Sequence, residues 1–275
     1  MKPAPFDYIR ASSMDHALAT LSTLREDVTV LAGGQSLLPT MNLRLSRPGC
    51  ILDISGLASL RSISESSHSI HIGALARHID VLESAVIHAH VPLLRQAMPN
   101  VAHAAVRNRG TFGGSIANAD PAAEIPACCV ALGATVILKN AEGERHVPAE
   151  EYFVGLYESV RQPDELLVGV DIPKRPGQRT AFHELALRRG DFAVVGVAAM
   201  FSTALRIVIF GCEPFPKLSP VGTHATSLAD EESRTRIIEQ AVVAMDPLAN
   251  LHGDADMKRE WARVLLRRCL ADIAG

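Results

Sequence analysis

No sign of charge dominates this chain. Over 275 residues the formal net charge is -3, which gives no reason to expect nucleic acid or an anionic membrane as partner. The short basic pairs Arg188-Arg189 and Arg267-Arg268 read as solvated faces or ion pairs. Cysteine is scarce and unorganised. Cys50, Cys128, Cys129, Cys212 and Cys269 include no C-x-x-C pair, so the ligand spacing of zinc and iron–sulfur sites is missing. An odd count without a framework fits a reducing compartment, and the vicinal Cys128-Cys129 lies in an apolar, helix-like stretch suited to core packing. Met1 to Arg10 is short, mixed and proline-bearing, without the pattern of a secretory leader. The most apolar window, Phe192 to Cys212, is interrupted by Arg206 and has Ser202-Thr203 at its middle. It reads as two strands and a tight turn rather than a membrane span. There is no G-x-x-x-x-G-K-[ST] motif, which argues against a nucleoside triphosphatase.

What the chain does have is two paired-glycine turns, Ala32-Gly33-Gly34-Gln35-Ser36 and Thr111-Phe112-Gly113-Gly114-Ser115. Neither has the Rossmann spacing. Glycine lets the backbone approach an oxygen closely and take φ > 0, so successive N–H groups can form a concave anion nest. A helix start beyond the turn adds its free N–H groups, and Ser36, Thr111 and Ser115 offer hydroxyls. Either turn alone reads as a tight turn without ligand. Together, with matched hydroxyls, they suit the two sides of a pyrophosphate. After the second turn, Asp120 and Glu124 stand four apart among small residues. They read equally as acceptors for ribose hydroxyls or an amino group, or as a helix start with Asp120 as N-cap, Pro121 at the first helical position and Glu124 in the first turn.

Periodicity divides the chain at Pro173 to Gln178, the best linker candidate. Before it, a helix carrying Ala17, Leu18, Leu21 and Leu24, capped by Ser12 or Ser13, leads to a buried strand at 28–32. A short helix follows at 39–45 and strands at 50–54 and 69–74. Helices are expected at 78–85, 91–97, 100–106 and about 125–132, with strands at 135–139 and 166–172. Beyond the linker, strands at 181–187, 192–201 and 205–211 precede helices at 230–245 and about 256–273. That order suggests a separate α+β domain.

Ala32-Gly33-Gly34-Gln35-Ser36-Leu37-Leu38-Pro39 and the run from Arg107 through Arg109, Thr111, Gly113, Gly114, Ser115 and Asn118 to Glu124 resemble the two FAD signatures of a known family. It is the medium, flavin-binding subunit of molybdenum hydroxylases, the carbon monoxide dehydrogenase and xanthine dehydrogenase group. Arg188 to Ala199 resembles that family's C-terminal domain opening, and Val264 to Arg268 its final helix. The resemblance implies an α+β fold: a two-subdomain FAD-binding domain of the vanillyl-alcohol oxidase (PCMH) type over 1–174, split near 55, then a smaller flavoprotein C-terminal domain over 179–275. It implies FAD, extended between them, held by Ala32, Gly33, Gly34, Gln35, Ser36, Leu37, Thr111, Gly114 and Ser115. Asn118, Asp120 and Glu124 would face pyrophosphate, ribose or adenine. Leu166 would pack near flavin or adenine, Val101 and Ala102 would form a pocket wall, and Glu184 would lie near the flavin.

By the same resemblance the chain relays electrons. A large partner would carry the molybdenum cofactor, a small partner two [2Fe–2S] clusters, and FAD would pass electrons to an external acceptor. A dimer of heterotrimers is implied, cytoplasmic or held at the inner membrane face through the complex, without catalytic acid or base on this chain. Phe112 stands where isoleucine is commoner, a change of packing only, and the other departures fall in the C-terminal part: Glu184 or His183 where many members have lysine, a short turn between Phe201 and Leu205, and Gly211-Cys212. Phe192 reads as a core strand residue or as an aromatic guard over the ring. Two alternatives stay open: a free-standing FAD-dependent oxidoreductase, with His103 and His183 as acid–base candidates, and an assembly subunit that has lost FAD.

Overall fold

The computed structural model describes residues 2–221, 228 and 230–275. Ser13 caps the first helix, Met14–Leu24, accepting from the His16 amide. The helix buries Ala17, Leu18 and Leu21, the residues at helical spacing. They pack on a small parallel sheet in which Cys50–Asp53 lies between Asp7–Arg10 and Val28–Leu31. The outer strand Asp7–Arg10 has a mostly exposed burial pattern, so no apolar alternation marks it.

A five-stranded antiparallel sheet follows. Leu166–Pro173 is its middle strand, between Ser69–Gly73 and Thr135–Lys139, and Ile63–Glu65 and Glu144–Pro148 form the edges. One face of this sheet joins the N-terminal core through Ile137, Leu166 and Val168. The other meets a large core built on Glu124–Leu132. Every residue of that helix is buried. A helix apolar all round has no solvent face to give, and its carbonyl end, sunk in protein, needs donors. Arg206 supplies them to Ala131 O and Val130 O at 2.8 and 2.9 Å, and Arg175 to Leu132 O.

The C-terminal sheet, Arg179–Leu185, Val195–Phe201, Leu205–Phe210 and Lys217–Leu218, is antiparallel in that order. Period-2 alternation divides its side chains. Phe182, Ala198, Val208 and Phe210 enter the central core. Ala181, Val195, Val197, Ala199, Ile207 and Ile209 pack under Glu231–Val243 and Ala255–Ala274. The apolar window is thus two strands of one hairpin, and no helix among the described residues is long and apolar enough to cross a membrane. All five cysteines are buried as free thiols, and burial pushes Cys129 up to about 12.

Three expectations are corrected. The short helix begins earlier, at Leu37–Asn42. Phe192 precedes the strand, which starts at Val195, and is 60% exposed; the Gly190 turn before it delays the sheet. Asp120 is not a helix cap. Its Oδ1 accepts from the Ala122 amide at 2.9 Å, closing a side-chain turn, and the helix starts at Glu124 after Ala123.

Candidate functional site

The first glycine segment leaves the strand Val28–Leu31 and enters Leu37–Asn42. Gly34 takes φ +72°, and Gln35 Nε2 donates to Gly33 O at 3.1 Å, folding the turn on itself. Among the described residues, the amides of Gly33, Gly34, Gln35 and Ser36 find no protein acceptor. Consecutive unused N–H groups on a partly exposed turn make an anion nest.

The second segment is not a turn. Thr111 caps the helix Phe112–Asn118, with its hydroxyl accepting from Gly114 N at 3.2 Å. Phe112 N donates to Ala76 O, Gly113 N to Ala74 O and Ser115 N to Thr111 O. Its amides are therefore occupied. Thr111, Gly114, Ser115 and Asn118 stand at i, i+3, i+4 and i+7, one face of the helix, while Phe112, Gly113 and Ile116 face the core. A Cβ on Gly113 would lie 2.6 Å from the Ala74 Cβ, so this glycine serves packing. What the segment presents away from the core is the half-buried Ser115 hydroxyl, the Asn118 amide and the bare Gly114, with Thr111 itself buried. The side chains of Ser115 and Asn118 make no hydrogen bond to protein among the described residues.

The two segments meet. A Cβ on Gly33 would sit 2.4 Å from Arg109 O and 2.8 Å from the Gly110 Cα. Gly110 packs in turn on His78, whose burial, with Arg107 nearby, drives its pKa down to about 4 and keeps it neutral. Ala32, Gly33 and Thr111 share a cavity of about 220 Å³ with Ser55, Arg61, Leu75, Arg77 and Arg109. Sequence reasoning passed over these arginines as site residues, although Arg109 lies within the quoted motif. Arg61 and Arg77 arrive from elsewhere in the chain, and no local pattern marks them.

Beyond the other end of the helix Phe112–Asn118 lies a group of acids. Asp120 and Glu124 are buried, at 7% and 5% exposure. Tyr157 Oη donates to Asp120 Oδ2 at 3.1 Å, and burial raises the Asp120 pKa. Burial first, then Glu184 and Asp120 nearby, push Glu124 up to about 8. Burial alone takes Glu184 to about 7, and its Oε2 is buried without a partner. Glu184 comes from the C-terminal sheet, so this group bridges the two halves of the chain.

The remaining candidates spread out. Val101 is in the central core and Ala102 takes φ +47°. Both carbonyls accept from Arg107 Nη1, at 2.9 and 2.6 Å, and Gly190 packs against Ala102 O. Leu166 is 3% exposed, in the N-terminal core that also holds Leu75 and Val168.

Residues 4–175 match the family described as the FAD binding domain in molybdopterin dehydrogenase. The chain belongs to this family. It is 36% identical to the 6-hydroxypseudooxynicotine dehydrogenase complex subunit alpha of Paenarthrobacter nicotinovorans, over 98% of this chain and 95% of that one. It is 32% identical to the carbon monoxide dehydrogenase medium chain of Hydrogenophaga pseudoflava, over 98% and 97%. In structure it is similar to a chain of carbon monoxide dehydrogenase from Hydrogenophaga pseudoflava, with TM-score 0.94, 32% identity and 99% and 98% of the two chains covered. A chain of the Cu,Mo-CO dehydrogenase gives 0.95, 30%, 100% and 99%. This is the FAD-binding medium subunit of a molybdenum hydroxylase, part of an oxidoreductase.

The residues present fit FAD. The open amides suit a pyrophosphate. The face of Thr111, Ser115 and Asn118 offers donors beside them, and Glu184 Oε2 is a buried acceptor that no protein group among the described residues satisfies.

Proposed function

We propose that this chain is an electron relay in a heteromeric molybdenum hydroxylase. Electrons reach its FAD from [2Fe–2S] clusters of a small partner, while a large partner holds the molybdenum cofactor and the substrate, and an external acceptor takes the electrons away. The assembly is a dimer of such heterotrimers in the cytoplasm. FAD supplies the redox chemistry, accepting electron pairs and passing them on.

The residues of this chain bind and orient. In this reading the pyrophosphate lies against the amides of Gly33 to Ser36, with Ala32 and Leu37 at its flanks. Thr111 donates its free hydroxyl proton, since its oxygen lone pair already serves Gly114 N. Ser115 and Asn118 donate along the same helix face, and bare Gly114 lets the cofactor approach. Asp120, Glu124 and Glu184 accept from cofactor N–H and O–H groups or share a proton among themselves. Val101 and Ala102, held by Arg107, wall the pocket. Leu166 packs in the core that also holds Leu75, which lines the cavity.

The observation that carries the reading is the junction of Gly33 with Arg109 and Gly110, which sets the open nest beside the hydroxyl-bearing helix face. Native purification of this chain from its own cells tests it. Flavin, iron and molybdenum co-eluting with one larger and one smaller chain is the expected result. Flavin on this chain alone, active without partners, would overturn it in favour of a free-standing oxidoreductase.

A further inference from the structure

Arg61, Arg77 and Arg109 line one cavity with Ala32, Gly33 and Thr111, and among the described residues none of the three is paired with a carboxylate. Each is anchored. Arg61 Nη2 donates to Ser55 O. The Arg77 backbone bridges to Thr111. The Arg109 carbonyl abuts Gly33, and its amide donates to Val106 O at 3.1 Å. Three like charges facing one space repel, and an anion between them removes that cost. Guanidinium forks also match phosphate oxygens two at a time.

We infer that Arg61, Arg77 and Arg109 form a charge-specific seat for the diphosphate of the cofactor's ADP half, so that the site selects FAD over uncharged flavin and takes ADP by itself. The inference rests on the FAD assignment and adds cationic residues to a nest of backbone amides. The helix Phe112–Asn118 separates this cationic end from Asp120 and Glu124 by about 10 Å at 1.5 Å per residue. The guanidinium groups stand at this end only, so they fix which way the dinucleotide lies.

Calorimetric titration of the flavin-stripped full chain with FAD, ADP, inorganic pyrophosphate and riboflavin tests this. The unsubstituted chain is expected to bind FAD and ADP, more weakly as salt rises. Arg61→Gln and Arg77→Gln are each expected to weaken FAD and ADP about tenfold, the scale of a charge-assisted hydrogen bond, and to leave riboflavin unchanged. Arg77→Lys, which keeps the charge, should recover part of the loss. The seat is overturned if FAD binds the unsubstituted chain but ADP does not, or if the Gln variants weaken riboflavin and FAD equally. FAD failing to bind the unsubstituted chain would sink the cofactor assignment itself, and the seat with it.

Discussion

Ala32-Gly33-Gly34-Gln35-Ser36 and Thr111-Phe112-Gly113-Gly114-Ser115 are near twins as sequences and opposites as structures. The first leaves its amides unused on a turn with φ +72° at Gly34. The second spends its amides on Ala74, Ala76 and Thr111, and turns hydroxyls outward from a helix. The lesson is that a glycine pair does not say which backbone resource it frees. In one segment glycine permits a left-handed conformation. In the other, Gly113 permits close packing against Ala74.

The largest expected effect comes from breaking the junction. Gly33→Val drives side-chain atoms into the Arg109 carbonyl, which is backbone and does not swing aside. Overpacking of this kind costs about 1–3 kcal/mol. Thermal melts should show that loss, and the purified chain should carry no flavin.

A sharper comparison sets Gly113→Ala against Gly34→Ala. The first presses on Ala74 and should cost about 1–3 kcal/mol of stability, while the folded fraction keeps its FAD affinity. The second costs only about 1 kcal/mol from the φ > 0 conformation, but re-aims the nest and should weaken FAD about tenfold or more. If titration ranks the two the other way round, the roles assigned to the segments are reversed.

The acids make the flavin-free chain sensitive to pH. Glu124 moves from 4.5 up to about 8, so the folded state holds a proton that the unfolded state releases. Stability is then fully present below pH 4.5, falls as pH rises from there to about 8, and levels above that. Glu124→Gln should flatten this slope and stabilise the flavin-free chain by ~1–3 kcal/mol at pH 8, as read from urea melts at several pH values. An unchanged slope would mean that Glu124 ionises freely in the fold.

The smallest effects divide the outward helix face. Thr111→Val removes a cap and should cost about 1 kcal/mol of stability. Ser115→Ala should leave stability alone and weaken FAD only a few-fold, about one hydrogen bond.

Much of this was legible because the chain states it locally. Ser13 before Ala17, Leu18 and Leu21 gave the first helix, and Asp254 before Ala255–Ala274 caps the last. The apolar window broken by Ser202-Thr203 and Arg206 gave the hairpin of Val195–Phe201 and Leu205–Phe210. What was hidden depends on distant partners. The edge strands Asp7–Arg10 and Glu144–Pro148 are mostly exposed and carry no apolar pattern. The helical state of 112–118 runs against its two glycines and is held by the Ala74 and Ala76 carbonyls. Asp120 and Pro121 offered a helix start as one of two equal readings, yet the Ala122 amide captured the carboxylate and the helix starts at Glu124. The convergence of Arg61, Arg77 and Arg109 is purely tertiary. The neighbourhood of Asp120, Glu124 and Glu184 follows from the C-terminal sheet laying one face on the helix Glu124–Leu132.

Hydrogen exchange with and without FAD tests the contrast most directly, because it reads each amide by itself. The amides of Gly33, Gly34, Gln35 and Ser36 should exchange freely in the flavin-free chain and become strongly protected when FAD binds. Those of Phe112, Gly113, Gly114 and Ser115 should be protected already and change little. Protection by FAD that appears at 112–115 and not at 33–36 would contradict the account.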